Sequence, residues 1–174
     1  DWADMDKDGP LCAEQMLYAA CFRAMAEISE QIGKDGSVYR AEYEKLTAVI
    51  EKFFWDEEKG AYIDSFTSGR RNVTRHANIF AILFSVADEK KQEKILKNVL
   101  ENDEIPAITT PYFNFFELDV LCRMGKLTEV LDKIRSYWGG MLDLGAVTFW
   151  EEYDPSVPKE EQYDMYGDHF GKSL

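Results

Sequence analysis

The strongest constraint on this chain is an alternation of two kinds of predicted helix. Three predicted helices, 11–32, 77–87 and 112–123, are built around dense apolar runs, of which 16–22 and 79–84 are apolar on every side, as is typical of buried helices. Three others carry one apolar stripe opposite a charged face, as surface helices do: 38–54, 89–101 and 126–138. Because the two kinds alternate and short connections join each pair, the sequence predicts antiparallel helical hairpins with the apolar helices inside.

Two architectures place buried helices inside and amphipathic helices outside, namely an α-solenoid and a toroid of hairpins. The repeats of a solenoid should resemble one another in sequence and length. In this chain the buried segments begin at unequal intervals and share no motif. The sequence therefore favours an all-α toroid, to which residues 1–174 contribute about six helices as one partial domain. A short β-hairpin is predicted in the loop 55–74, where residues 61–66 alternate between apolar and polar.

Composition argues against several classes of function. The chain has 20 Lys and Arg against 33 Asp and Glu, and a phosphate backbone requires a basic surface, so no nucleic-acid partner is expected. The longest apolar run, 16–22, is too short to cross a bilayer. The three cysteines form no CxxC pair and are expected to be buried free thiols. No signal peptide and no initiator Met precede Asp1, so we expect a fragment, and its compartment stays open.

Glu151 is the first candidate for chemistry. It follows the apolar segment 146–150, which should bury it at least partly. A carboxylate beside Trp150 in apolar surroundings is suited to acid or base work. The alternative is that Glu151 belongs with Glu152 and Asp154 to a solvated rim.

Aromatic side chains at predicted helix ends and in loops are candidates for sugar binding, because the C–H face of a sugar stacks on an aromatic ring. They are Trp2, Trp55, Trp150, Tyr112 and Phe113. Each has the alternative of being ordinary core material. His76 opens the third helix, where it is predicted either to contact a ligand or to lie in the helix cap.

Residues 4–9 read Asp-Met-Asp-Lys-Asp-Gly, which is the start of a calcium-binding loop. The twelfth position, however, holds Gln15 in place of the bidentate glutamate, and Asp-rich turns also cap helices. Calcium binding by Asp4, Asp6 and Asp8 is therefore left open. No other metal and no organic cofactor is expected.

Several segments fall in the order and spacing of bacterial α-L-rhamnosidases. They are Trp55-Asp56 with Gly60 and Tyr62, Arg75-His76-Ala77-Asn78, Thr110-Pro111-Tyr112, the stretch 145–151, and Lys172-Ser173-Leu174. The opening Asp1-Trp2 fits as well. The most specific piece is Gly-Ala-x-Thr-x-Trp-Glu in 145–151. The sequence thus resembles this family over essentially its whole length.

The resemblance implies an (α/α)6 toroid of twelve helices, of which this chain would be the C-terminal half, with the missing N-terminal half as its partner. It implies hydrolysis of terminal non-reducing α-L-rhamnose from glycosides or polysaccharides, with inversion and without a cofactor. Glu151 matches the general base, Trp2 matches an aromatic of the sugar pocket, and the general acid lies upstream of Asp1. The residues expected to bind substrate are Asp1, Trp2, Trp150, His76 and Tyr112.

Two other functions stay open. Toroid glycosidases that act on glucosides or unsaturated uronides share the helix pattern. A non-catalytic, sugar-binding helical module would lack a general acid, as this chain does. As an isolated fragment the chain is expected to be inactive, and the apolar flanks of its first and third hairpins should cause self-association.

Overall fold

The computed structural model describes residues 3–162. Over that range it has six α-helices: α1 (Cys12–Gln31), α2 (Ser37–Phe54), α3 (Arg75–Leu83), α4 (Glu89–Ile95), α5 (Pro111–Arg123) and α6 (Leu127–Asp143). A π-helical turn, Leu96–Leu100, continues α4, and a 3-10 turn covers Lys159–Glu161. Strands β1 (Trp55–Asp56) and β2 (Ala61–Tyr62) pair antiparallel, which confirms the predicted hairpin. The all-α class is thereby confirmed for the described chain.

The chain divides into two compact units. The first, residues 4–107, holds α1 to α4 and both strands, and the described part of the second, chiefly 108–162, holds α5 and α6. In the first unit α1 packs against α2 and α3, and α3 packs against α4. In the second α5 packs against α6, so the three predicted helix pairs form. Over residues 3–162 none of the helices combines the length and the apolar content that crossing a membrane requires.

Helix α3 is buried at every position, as predicted for a segment that is apolar on all sides. Its first residue, Arg75, is charged and only 5% exposed. The guanidinium donates hydrogen bonds to the carbonyl oxygens of Leu100 (3.0 Å) and Ile105 (3.3 Å). These bonds offset the cost of burying the charge, and they hold the end of the π-helical turn against α3.

Helices α1 and α5 are not buried on every side, contrary to the prediction. Along one side α1 exposes a series of residues three or four positions apart: Tyr18, Cys21, Met25, Ile28 and Ile32. Helix α5 likewise exposes Tyr112 and Phe115. The described chain supplies packing partners for only one face of each helix. Apolar periodicity reports that a face should be covered, and it does not say by which neighbour.

The thiols follow the same pattern. Cys12 is buried, and burial raises the pKa of its thiol well above the usual range. Cys21 and Cys122 are exposed, so the expectation of three buried cysteines is wrong for these two. Both lie on the helices whose outer faces lack a packing partner within residues 3–162.

Helix α6 continues past the predicted end at Trp138 and through Gly139-Gly140 to Asp143. Its inward face buries Val130, Tyr137 and Met141. The opposite edge of its apolar stripe exposes three residues: Leu127, Leu131 and Ile134. The prediction of a loop from residue 139 is wrong because neither glycine ends the helix: Gly140 makes room for Tyr153, and a Cβ at Gly139 would meet nothing within 4 Å.

Helices α3 and α5 begin with the same local arrangement, which corrects the view that the buried segments share no motif. Each follows an N-cap threonine, Thr74 or Thr110, and each has an asparagine four residues later. The Asn78 Nδ2 donates to the carbonyls of Thr74 and Tyr62, both at 2.9 Å. The Asn114 Nδ2 donates to the Thr110 carbonyl (3.1 Å) and to a carbonyl of the preceding extended segment (3.0 Å). Each amide thus ties the first turn of a buried helix to the chain before it.

Asp64 organises the loop that leads from β2 to α3. Its Oδ1 accepts hydrogen bonds from the backbone N–H (3.1 Å) and the hydroxyl (2.7 Å) of Thr74. Its Oδ2 accepts from the Asp6 N–H (3.2 Å) and from Asn72 Nδ2 (2.7 Å). Because Asp64 is 2% exposed, these donors satisfy a carboxylate that would otherwise be costly to bury. The carboxylate therefore fixes the entry into α3.

Candidate active site

The second unit holds three of the predicted site residues: Tyr112, Trp150 and Glu151. His76 lies in the first unit. Asp1 and Trp2 lie outside the residues that the structure describes, so their predicted roles stay predictions. The geometry of the second unit therefore carries the description of the site.

The loop that leads to Glu151 starts where α6 ends in a Schellman motif. Gly145 has a φ of +92°, and its N–H donates to the carbonyl of Leu142 (2.9 Å). The N–H of Ala146 donates to the carbonyl of Met141 (3.0 Å), and Ala146 also packs against the cluster that contains Met141. This cap fixes the direction in which the chain leaves the helix.

An aromatic cluster holds the far end of the same loop. Tyr137 and Met141 on α6 pack with Tyr153, and Trp150 packs against them. The ring centroids lie 5.4 Å apart for Tyr137 and Tyr153, and 5.7 Å apart for Trp150 and Tyr153. Burial raises the pKa of both tyrosines, so both phenols stay protonated at neutral pH. Glu151 is thus flanked on either side by residues anchored to α6.

Thr109, in the extended segment before α5, bonds to both residues that follow Glu151. Its hydroxyl donates to the Glu152 carboxylate at 2.8 Å. Its carbonyl oxygen accepts from the Tyr153 N–H (2.8 Å) and from the Tyr137 hydroxyl (2.6 Å). The segment that opens α5 and the loop that follows α6 therefore meet at one residue.

Glu151 itself is exposed, which corrects the expectation that the apolar segment before it would bury it. Val147 and Phe149 of that segment are themselves 96% and 79% exposed, so they shield the carboxylate little. Ala146 and Trp150, at the two ends of the segment, pack against the aromatic cluster. The sequence pattern predicts a buried run, whereas only the two ends of the segment are anchored and residues 147–149 are exposed.

The three acids near the end of this loop differ in what they bind. Glu152 accepts the hydroxyl of Thr109. Asp154 accepts the backbone N–H (2.9 Å) and the hydroxyl (2.7 Å) of Ser156. No residue in 3–162 hydrogen-bonds to the Glu151 carboxylate, so it is the one of the three that is available to water or a ligand.

A cavity of about 400 Å³ lies between the end of α6 and the loop. Helix α6 contributes Trp138, Met141 and Leu142 to its wall, and the loop contributes residues 146–149. Glu151 comes two positions after Phe149, the last residue of this wall. Apolar cavities of this size are places where small ligands bind, and Glu151 lies close to this one in sequence.

Tyr112 and His76 differ in their surroundings. Tyr112 is 74% exposed on α5, and its ring packs edge-on against Phe116 with centroids 5.4 Å apart. His76 is 4% exposed, in the first turn of α3. The ring of Tyr112 is therefore open to solvent and that of His76 is enclosed. The binding role of each stays a prediction.

The aspartate-rich segment at the start of the chain does not bring a set of metal ligands together. Over residues 3–162 there is no group of three or more His, Cys, Asp or Glu side chains placed to hold a metal ion. Asp6 is buried, and its carboxylate accepts hydrogen bonds from the Ser68 hydroxyl and from the Asp8 N–H (3.2 Å). The bond from Ser68 lowers the pKa of Asp6. The Asp6 carboxylate thus helps to hold the loop that contains Asp64 and Ser68.

Sequence reasoning missed Thr109, Glu152 and Tyr153 as parts of the site. A single sequence contains no signal that Thr109 meets Glu152, which is 43 positions away. One weak signal was available, because a glycine inside an amphipathic helix usually has a packing reason. That glycine is Gly140, which faces Tyr153.

We expect Gly140→Ala to loosen the loop that carries Glu151. A Cβ at this position would collide with the Tyr153 phenol, which is held in the aromatic cluster. The free energy of unfolding should fall by about 1–3 kcal/mol, as in other overpacked sites. Gly139→Ala is the matched control, since a Cβ there meets nothing within 4 Å and should raise stability by up to about 1 kcal/mol. Equal denaturant midpoints for the two variants would contradict the close packing of Tyr153 on Gly140.

Comparison with known proteins places this chain in a family. The family described as the bacterial alpha-L-rhamnosidase 6 hairpin glycosidase domain matches residues 1–170. Among solved structures, the chain is similar to a rhamnosidase from Klebsiella oxytoca with rhamnose bound, at 26% sequence identity and a TM-score of 0.73. That match covers 91% of this chain and 31% of the Klebsiella chain. The search of curated proteins found no match.

The two matches agree with each other and with the helices. The family match runs through both units, and the structural match covers nearly the whole chain. The helical pairs with one very small sheet are those of an all-α hairpin domain. The predicted family and the all-α hairpin class are confirmed, and the chain belongs to the family of bacterial α-L-rhamnosidase six-hairpin glycosidase domains.

Proposed function

We infer that this chain supplies the general base of an inverting glycoside hydrolase, with Glu151 as that base and terminal non-reducing α-L-rhamnose as the sugar removed. The observation that carries the proposal is the state of Glu151. Its carboxylate is exposed and takes no hydrogen bond from residues 3–162, while the chain on either side of it is anchored. A base needs such a combination of availability and fixed position.

The local geometry favours Glu151 over the two acids that follow it. Glu152 and Asp154 accept hydrogen bonds from Thr109 and Ser156, so their carboxylates serve to hold the loop. Glu151 also ends the motif that the sequence shares with rhamnosidases. The similar Klebsiella oxytoca protein is a rhamnosidase with rhamnose bound, which supports this sugar as the substrate.

In an inverting reaction two carboxyl groups act on opposite faces of the sugar. Glu151 takes a proton from water as the water oxygen bonds to the anomeric carbon. A carboxylic acid outside residues 1–174 gives a proton to the leaving oxygen as the glycosidic bond breaks. The two groups are roughly 6.5–9.5 Å apart in such enzymes, which leaves room for the water. The chain spans about a third of the Klebsiella relative, so the acid is assigned to the rest of the protein.

The test is hydrolysis of a nitrophenyl α-L-rhamnoside by the complete protein that contains this sequence. Proton NMR during the first minutes should show β-L-rhamnose as the first product, because one displacement inverts the anomeric centre. Matched nitrophenyl glucosides and an unsaturated uronide should be cleaved far more slowly. Faster cleavage of either, or rhamnose binding without hydrolysis, would replace the proposal with one of the two alternatives.

The exposed apolar faces support the proposal that other helical hairpins complete the domain. They include Met25 and Ile28 on α1 with Ile32 at its C-terminal end, and Leu127, Leu131 and Ile134 on α6. Water contact with such contiguous apolar stripes is unfavourable. The 174-residue chain alone should therefore self-associate and be inactive. Light scattering that shows a stable monomer with a cooperative melt would contradict this.

A further inference from the structure

We propose that Thr109 is a positioning residue, which holds the loop so that the Glu151 carboxylate stays aimed at the reacting water. The inference rests on the proposed function, because it assumes that Glu151 is the base. Thr109 lies in the segment before α5 and outside the motif that identifies the base. Its role follows from what its side chain and its carbonyl contact.

Thr109 holds the loop immediately after Glu151 through a side-chain hydrogen bond and a backbone hydrogen bond. The first is the side-chain bond from its hydroxyl to the Glu152 carboxylate, at 2.8 Å. The second is the backbone bond from the Tyr153 N–H to its carbonyl oxygen, also at 2.8 Å. The same carbonyl accepts a hydrogen bond from the Tyr137 hydroxyl at 2.6 Å, so Thr109 is also bonded to α6. The loop is thereby tied to both helices of the hairpin.

The position of the proposed base depends on these hydrogen bonds, because no contact holds the Glu151 side chain itself within residues 3–162. Its side chain is exposed, and no residue in 3–162 hydrogen-bonds to it. Its placement is therefore set by the backbone on either side. Trp150 holds one side by packing, and Thr109 holds the other by directional bonds. A displacement of about 1 Å in a catalytic group is enough to cost a large factor in rate.

The side-chain bond and the backbone bond of Thr109 can be tested separately by substitution. Thr109→Val removes the hydroxyl and keeps the shape and the backbone carbonyl, so only the bond to Glu152 is lost. Thr109→Ser keeps the hydroxyl and is the conservative rescue. Glu152→Leu removes the same bond from the other side and tests whether the two residues act as one unit.

The experiment measures kcat and KM of the complete protein on a nitrophenyl α-L-rhamnoside, with melting curves for every variant. We expect Thr109→Val and Glu152→Leu each to lower kcat about tenfold with KM changed less than about twofold, and the double variant to lose no more than either. Thr109→Ser should keep near-normal kcat. In a Glu151→Gln background Thr109→Val should cost nothing further, because there is no base left to position.

Three results would overturn the inference. Thr109→Val with normal kcat beside an inactive Glu151→Gln variant would show that the bond to Glu152 does not matter. An equal loss from Thr109→Val with and without Glu151 would show a general structural role. A Thr109→Val variant that melts early and is not matched by Glu152→Leu would show the same. Failure of the proposed function is read separately, from normal turnover of Glu151→Gln alone.

Discussion

Turnover of a nitrophenyl α-L-rhamnoside should fall by roughly 10²–10⁴ when Glu151 is replaced by glutamine in the complete protein, the range typical of losing a general base. Glutamine has the shape of glutamate and cannot accept the proton of the attacking water. The Glu151 carboxylate is exposed and makes no hydrogen bond within residues 3–162, so the fold does not depend on its charge. Folding and the melting temperature should therefore be unchanged while kcat is lost.

The matched control is Glu160→Gln, the same chemical change in the same unit. Glu160 is exposed in the 3-10 turn Lys159–Glu161, nine positions after Glu151. This variant should keep the activity of the unchanged protein, because it alters one surface charge in water. Near-normal turnover of Glu151→Gln under the same conditions would reject Glu151 as the base.

The largest effect on stability is expected from Asp64→Asn. Asp64 is 2% exposed, and both of its carboxylate oxygens accept hydrogen bonds. An asparagine amide must turn its NH2 toward either Thr74 or Asp6, and in each case it faces a backbone N–H. A buried donor left without an acceptor costs about 1–3 kcal/mol, so we expect a loss of about 2–3 kcal/mol in the free energy of unfolding.

Asp103→Asn provides the comparison, because Asp103 is exposed in the turn before α5. A surface change of this kind should stay within about 0.5 kcal/mol. Urea unfolding followed by circular dichroism measures both variants, and the Asp64 variant should show an earlier midpoint with a similar slope. If both variants unfold at the same concentration, the four hydrogen bonds to Asp64 do not hold the entry into α3.

Local sequence was sufficient to predict the helices. Apolar periodicity placed α2 and α5 within a residue or two, and Pro111 begins α5 as a proline in a first turn should. The sequence pattern gives the wrong end for α6, because it predicts a loop from Gly139 and the helix continues to Asp143. In a sequence, a glycine that ends a helix looks the same as one that makes room for a side chain such as Tyr153. Only the packing partner distinguishes the two roles.

The candidate site was predictable in part and for a different reason. Glu151 is predicted from a contiguous motif, which a single sequence displays in full. The exposure of its carboxylate was not predictable, because burial depends on which elements cover the loop. The role of Thr109 was not predictable for the same reason, since its contact with Glu152 joins residues 43 positions apart. The shared Thr-x-x-x-Asn start of α3 and α5 was present in the sequence and became evident only from its hydrogen bonds.

The amino-acid sequence by itself therefore determined the all-α class, the pairing of helices into hairpins and the acid at the end of the motif, because each is encoded in neighbouring residues. The tertiary structure decided which apolar faces are covered and which of three adjacent acids is available. It also decided that Thr109, Tyr137 and Tyr153 hold the loop in place. These properties arise from contacts between distant segments, whose free energy depends on geometry that no local pattern records.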